Sequence, residues 1–372
     1  MHRFRVACPH FYQTPIARFP QEWNLQKPCL NLQSVRLRVC QIPAAACYIF
    51  GMAGPHLSNA AGPDLQAANQ RMTTLLSSLS AHDGMTQTLL DGVQVMRATQ
   101  PIPRRPVLYE PGIVIVGQGR KRGYLGGQVY TYDAHNYLVL SVPLPFECET
   151  EASLDLPLLA LCIRVDLAVL ADLLMQMGEG HQPAPEPPNG MYSTRLDATL
   201  SEASVRLLEC LRNTADAHVL GPQIVREITY RVLCGEQGGA LRAAAALHSR
   251  FGQVNRALER IHTEYARTLT VDDLAGTAGM SPSAFHQSFK SVTATSPLQY
   301  LKTIRLHKAL MLMAHEGLRA GIAAERVGYE SSSQFSREFK RLFGKSPVEE
   351  TARVQRILGV PVAPLLHDVN SA

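Results

Sequence analysis

From residue 251 onward apolar positions recur every three or four residues almost without a break, the spacing that lines them up along one stripe of an α-helix. Upstream the period changes. Short β-like runs at 112–116, 128–132, 137–142 and 158–165 alternate with turn residues, and Gly119, Gly123, Gly126 and Gly127 punctuate them, so a small sandwich or barrel is predicted. Helical spacing is read at 72–96, through Leu75, Leu76, Leu79, Leu89 and Leu90 with a break near Gly84, and again at 166–177, 196–211 and 223–233. A proline-dense run at 183–188 fits neither helix nor sheet. Gly235 to Gly239 and an Ala-rich bridge separate the two regions. Residues 1–71 follow neither period and are expected to form a disordered extension. The predicted class is α+β in two domains: a β-rich barrel with helices over 72–240, and an all-α domain over 251–356.

The helical part contains a repeat. Phe285, Phe289, Ser296 and Pro297 recur at Phe335, Phe339, Ser346 and Pro347, all offset by fifty, while Ala275 and Gly279 recur at Ala324 and Gly328, offset by forty-nine. The second turn is therefore one residue longer. Each copy, at 270–291 and 319–343, reads as a helix-turn-helix. The alanine allows two helices to cross closely, and the glycine takes the left-handed turn conformation. Ser281 or Ser331 caps the next helix, whose phenylalanines at i and i+4 turn inward. Outward faces then carry Ser283, His286, Gln287 and Lys290 in the first copy. In the second they carry Ser332, Ser333, Gln334, Ser336, Arg337 and Lys340. These are hydrogen-bonding and cationic groups suited to base edges and phosphates of double-stranded DNA. Residues 297–315 between the copies predict a connecting helix of roughly 28 Å, close to one turn of B-DNA.

Charge sharpens this picture. The net charge is +5, and residues 251–356 hold 15 Lys and Arg against 10 Asp and Glu, whereas residues 72–250 hold 14 against 18. A basic helical third beside an acidic middle suits a nucleic-acid partner. The eight cysteines, Cys8, Cys29, Cys40, Cys47, Cys148, Cys162, Cys210 and Cys234, include no CxxC pair and no zinc spacing. Reduced thiols and a cytoplasmic location are expected, with no membrane association, because the apolar stretch at 42–54 is too short to span a bilayer.

The stretch RVGYESSSQFSREFKRLFGKSP at 326–347 resembles the second motif of the DNA-binding domain of the AraC/XylS family of bacterial transcription regulators. Residues 107–145 are similar to the N-terminal domain of one subgroup of that family. The resemblance implies a cupin-like barrel that senses a small-molecule effector. It also implies a sequence-specific DNA-binding transcription regulator, with a homodimer and, for an activator, RNA polymerase as further partners. By position it places base reading on Ser283, His286 and Gln287, and on Ser332, Ser333, Ser336 and Arg337.

Rival chemistry is weighed on the residues themselves. A metal-dependent cupin needs several histidines, and residues 107–165 hold His135 alone, so no metal, cofactor or catalytic residue is expected. Arg120, Lys121 and Arg122 read as a solvated basic turn, with an anionic effector as the other reading. The tyrosines at 109, 124, 130, 132 and 137 either pack the sheet or line a pocket, and the effector site itself is left unassigned. The alternative function is a DNA-binding domain fused to a catalytic cupin-like or methyltransferase domain. The latter needs an activated thiol, and Cys148 has acidic neighbours that would blunt it.

Overall fold

The computed structural model describes residues 63–178, 190–236, 238–245 and 249–358. Helix α1 (Pro63–Leu79) precedes nine strands: β1 (Gly84–Gln87), β2 (Val93–Ala98), β3 (Ile102–Tyr109), β4 (Gly112–Gln118), β5 (Arg120–Leu125), β6 (Gln128–Asp133), β7 (Asn136–Leu140), β8 (Leu144–Glu151) and β9 (Leu158–Arg164). Then come α2 (Leu167–Met177), β10 (Met191–Arg195), α3 (Ala198–Cys210), α4 (Thr214–Val219), α5 (Gly221–Cys234) and α6 (Gly239–Ala245). The strands form one antiparallel sheet in the order β1-β2-β9-β4-β7-β6-β5-β8-β3, with β10 also pairing β7. It curls into an open half-barrel, the antiparallel β fold with helices that the sequence predicts.

Which strands lie at the centre follows from their side chains. In β4, Ile113 and Ile115 face one side and Val114 and Val116 the other, and all four are buried. Burial on both faces explains an unbroken apolar run where alternation would otherwise mark a strand. One face packs under α1, α2 and α3, through Met72, Leu76, Leu170 and Leu200. The other face is the inside of the curl, and its apolar cluster runs on without interruption into the C-terminal helices. Each fully buried Leu, Ile or Phe there contributes roughly 1.5–3 kcal/mol.

Several elements differ from expectation. The first helix starts at Pro63, nine residues before Met72, and Leu89 and Leu90 lie in a turn between strands instead of a helix. The basic triplet is a strand and not a turn: β5 runs through it, and Lys121 is buried. Strand β3 carries Pro103 and Pro106, which suits only an edge position, and there it lies. Helix α3 packs against α1 and α5 and buries Leu200, Leu207 and Leu208. The proline run at 183–188, and residues 1–62 of the expected extension, lie outside the described residues.

Because Ala68 is fully buried, Asn69 donates to the Ala134 carbonyl at 2.9 Å, and Arg71 pairs with Glu202 and Glu209, the first turns of α1 are structural. A chain beginning at Met72 is therefore expected to melt several degrees below one beginning at Asn59. At about 2–4 °C per kcal/mol for a chain of this size, calorimetry on the two proteins resolves the difference.

Candidate nucleic-acid interface

The C-terminal domain consists of α7 (Arg250–Glu264), α8 (Val271–Ala278), α9 (Pro282–Thr293), α10 (Pro297–Glu316), α11 (Ala320–Arg326), α12 (Ser332–Phe343) and α13 (Pro347–Leu358). The α8–α9 and α11–α12 pairs are the two predicted motifs, and the connecting helix α10 has 20 residues, about 30 Å.

Each turn is built as the repeat requires. Gly279 has φ +68° and Gly328 has φ +86°, both left-handed. The Met280 amide donates to the Ala275 carbonyl and, equivalently, the Tyr329 amide to that of Ala324. Glu330 is the extra residue. Ser281 then accepts from the Ala284 amide at 3.4 Å and Ser331 from the Gln334 amide at 3.3 Å, opening α9 and α12. The two glycines are not equivalent, however. A Cβ at Gly279 would meet nothing nearer than Arg256 Nη2 at 3.8 Å, whereas one at Gly328 would fall 2.4 Å from the Ala266 carbonyl oxygen.

Burial along the two outward-facing helices matches position by position. Phe285 and Phe289, like Phe335 and Phe339, are fully buried, with ring centroids 5.4 Å apart in each pair. Ser281, Ser283, His286, Gln287 and Lys290 are exposed on α9, as are Ser331, Ser332, Ser333, Gln334, Ser336, Arg337 and Lys340 on α12. The structure thus brings every sequence-predicted residue to an outward face. It adds Arg341, exposed one residue beyond Lys340, which the sequence reading missed. Among the described residues Arg337, Lys340 and Arg341 form no ion pair. Glu338, half-buried between them, is engaged inward: it accepts from Tyr329 Oη at 2.8 Å, Lys302 Nζ at 3.0 Å and Gln334 Nε2 at 3.3 Å. Burial would raise its pKa, but these hydrogen bonds hold it below the usual carboxylate value.

Arginines behind each motif were also missed. Arg256 on α7 reaches the end of α8, with Nε 3.4 Å from the Thr277 carbonyl and Nη2 3.2 Å from that of Ala278. Arg305 on α10 donates to the carbonyls of Tyr265 at 2.7 Å, Gly328 at 3.1 Å and Arg267 at 2.9 Å. These two arginines are forty-nine residues apart, the same offset as Ala275 to Ala324. The repeat therefore comprises three helices per copy, and that offset was the signal for it.

The first copy is docked on the sheet. The Gly190 amide donates to the Val292 carbonyl at the end of α9, at 2.9 Å. Tyr300 Oη donates to the Pro143 carbonyl at 2.8 Å and receives His262 Nε2 at 2.8 Å. Ala294, which caps α9 at φ +59°, lies so close to Gly126 that a Cβ there would fall 2.8 Å from its methyl. Burial pushes both His262 and His307 down to about 4, with Lys308 adding to the effect on His262.

Comparison with known proteins gives a consistent family. Residues 89–240 match the model for the N-terminus of AraC-type transcriptional regulators, and residues 274–353 match a helix-turn-helix domain model. Over 111 residues the chain is 37% identical to the RCS-specific HTH-type transcriptional activator RclR of Escherichia coli, covering 30% of this chain and 38% of that protein. Over 184 residues it is 25% identical to the HTH-type transcriptional activator RhaS of Klebsiella pneumoniae, covering 49% and 62%. The matches thus span less than two thirds of these relatives. The crystal structure of ToxT from Vibrio cholerae shares the fold at a TM-score of 0.50 and 13% identity, covering 73% of this chain and 98% of that one.

Two outcomes follow from this geometry. Gly279→Ala is expected to cost about 1–2 kcal/mol from the left-handed backbone alone. Gly328→Ala, which adds a clash with a backbone oxygen, is expected to cost clearly more and to lower DNA affinity with it. Melting curves and binding titrations on the two variants check this. Second, a histidine whose folded pKa lies near 4 against about 6.5 unfolded favours the fold while neutral. That stability is complete above pH 6.5 and is lost as pH falls toward 4, at up to about 1.4 kcal/mol per pH unit for each histidine. His307→Leu, which also removes an unpartnered buried Nε2, should flatten the fall of melting temperature across that window.

Proposed function

The chain belongs to the AraC/XylS family of transcription regulators, and from that premise we propose that it is a sequence-specific double-stranded-DNA-binding regulator controlled by a small-molecule effector held in its N-terminal domain. The observation that carries this reading is the duplicated motif: two helices with the same burial pattern, each turning a face rich in polar and cationic side chains outward from a phenylalanine core. The contact set is Ser281, Ser283, His286, Gln287 and Lys290 with Ser331, Ser332, Ser333, Ser336, Arg337 and Lys340, joined by Arg341. Since α12 carries three cations without an ion pair among the described residues and α9 carries Gln287 and His286 beside Lys290, α12 anchors on phosphates and α9 reads bases. The regulatory part ends by residue 240, and the DNA-binding part is 251–356. A homodimer, RNA polymerase contact by an activator, and a cytoplasmic site of action belong to the same proposal.

Effector control is supported by the shared apolar cluster, since the inside of the curled sheet and the core of the first motif are one packed unit. The chain acts without catalysis in this reading. Burial pushes the Cys162 thiol up to about 11, which makes it a poor nucleophile, and His135 is exposed on a turn away from the buried interior. Both observations weigh against a methyltransferase or metal-dependent cupin.

The test is affinity for duplexes selected from a random pool, for base-by-base variants of the selected sequence, and for unselected duplex. Arg337→Ala should weaken all of them and reduce the slope of log affinity against log salt by about one. Gln287→Ala should cost on the order of 1–3 kcal/mol at one base position and spare unselected duplex. Equal weakening on all duplexes by Gln287→Ala would remove base reading from that residue.

A further inference from the structure

On the helical side of the sheet domain, away from the inside of the curl, α3 packs between α1 and α5. A cleft of about 460 Å³ opens along it, lined by Asp64 and Ala67 of α1, by Ala198, Glu202 and Arg206 of α3, and by Arg231 of α5. Ala67 and Ala198 keep it open, because each puts only a methyl group where a longer side chain would fill the space. Glu202 and Arg206 stand four residues apart on α3, the spacing at which opposite charges on a helix pair. They do not pair. Glu202 is drawn to Arg71 of α1 at 3.3 Å, and Arg206 to Glu227 of α5 at 2.5 Å. The cleft lies between the two parted charges.

Neither side of the cleft is balanced in charge. On the α1 side one guanidinium serves two carboxylates, since Arg71 also reaches Glu209 at 2.9 Å. Asp64 adds a further carboxylate there, and among the described residues it forms no ion pair. On the α5 side one carboxylate serves two guanidinium groups. Glu227 Oε2 takes Arg206, while its Oε1 takes Arg231 through Nε at 2.8 Å and Nη2 at 2.6 Å. The first side is therefore short of cations and the second short of anions. An arginine that shares its carboxylate keeps donors to spare. These side chains are also well exposed, so their pairs contribute little and give way to a ligand at low cost.

We propose that this cleft binds a small amino acid, with its carboxylate on Arg206 and Arg231 and its ammonium group on Asp64 and Glu202. This rests on the reading of the N-terminal domain as the effector domain and names the effector's class. A molecule with a single charge satisfies one side only, and a neutral one satisfies neither, so the cleft selects for both charges together. Binding is felt beyond the cleft through α5. Two residues after Arg231, the Leu233 carbonyl accepts from Arg242 of α6. Helix α6 in turn buries Ala240 and Leu241 in the core beneath α3 and Ala244 in the core that holds Phe251 of α7.

The experiment uses the full chain and four probes: L-valine and γ-aminobutyrate, which carry both charges at different separations, and butyrate and butylamine, which carry one each. Calorimetry without DNA measures binding of each probe, and affinity for a selected duplex is measured separately with and without it. The expected result is that at least one amino acid binds, more weakly as salt rises, and changes duplex affinity, while the single-charge probes bind at least tenfold more weakly. Asp64→Asn and Arg206→Gln should each weaken that amino acid about tenfold. Both should melt as the wild type does, since Asp64 has no ion pair to lose and Glu227 keeps Arg231. Ala67→Leu, at an exposed helix position, fills the cleft and should abolish binding. No binding of either amino acid, equal binding of a single-charge probe, or undiminished binding by the charge variants overturns the site, and binding that leaves duplex affinity unchanged overturns its role as the effector site. Duplex binding by the wild type without any probe separates the two readings: if it persists while neither amino acid binds, the amino-acid site alone falls, and if it is absent, the regulator reading falls.

Discussion

Three backbone carbonyls converge where α7 ends, and one guanidinium satisfies all of them. Tyr265 and Arg267 lie just past α7, where a helix leaves its last oxygens without partners, and Gly328 sits in the turn of the second motif. Arg305 reaches the three from α10 with Nε, Nη2 and Nη1. Only a planar group with donors spread around a fork can do this; a lysine would serve one oxygen at a time. Burial lowers the Arg305 pKa from its ordinary value, yet an arginine stays charged, so the clamp holds at any pH at which the protein is folded. Gly328 must be a glycine because the same seam brings the Ala266 carbonyl into the space of a side chain. The relative placement of the two outward-facing helices depends on this seam, reinforced by Lys302 reaching from α10 to Glu338 on α12.

The two copies are held differently on either side of it. The first has no core of its own: Phe285, Phe289 and Tyr300 belong to the cluster that fills the inside of the sheet, and Phe251 joins them from α7. The second builds a separate cluster from Leu306, Leu310, Val327, Phe335 and Phe339. A disturbance inside the sheet therefore reaches the first copy through a shared core, whereas the second copy, though α12 also lies against β3, keeps a core of its own.

The helical domain was legible because its signals are local and occur twice. Phenylalanines at i and i+4, a glycine after a close-packed alanine and a serine cap each act within a few residues, and duplication separates them from chance. The sheet was legible only in part. Strands β4, β7 and β9 are buried on both faces and read as apolar runs. Strand β5 is basic and β3 contains two prolines, so their pairing partners, far away in sequence, decide their conformation. Strand β8 did carry a period of two, with Leu144, Phe146, Cys148 and Thr150 inward, and that signal was overlooked. Lys121 was misjudged for a related reason: three adjacent cations look like a solvated run until the pleat turns the middle one inside.

The caps that end α9 and α12 are also fifty residues apart. Gly344 takes the left-handed conformation at φ +75°, with open space where a side chain would be. Ala294 adopts nearly the same angle at φ +59°, where an alanine is strained by about 1–2 kcal/mol. The difference is that Ala294 presses its methyl against Gly126 of the sheet. The chain thus carries its own reference: the second copy shows how such a helix ends when nothing leans on it, and the first shows the same ending altered by a neighbour. A residue that looks merely permitted in one copy is revealed by its twin as a tension held in place by the other domain.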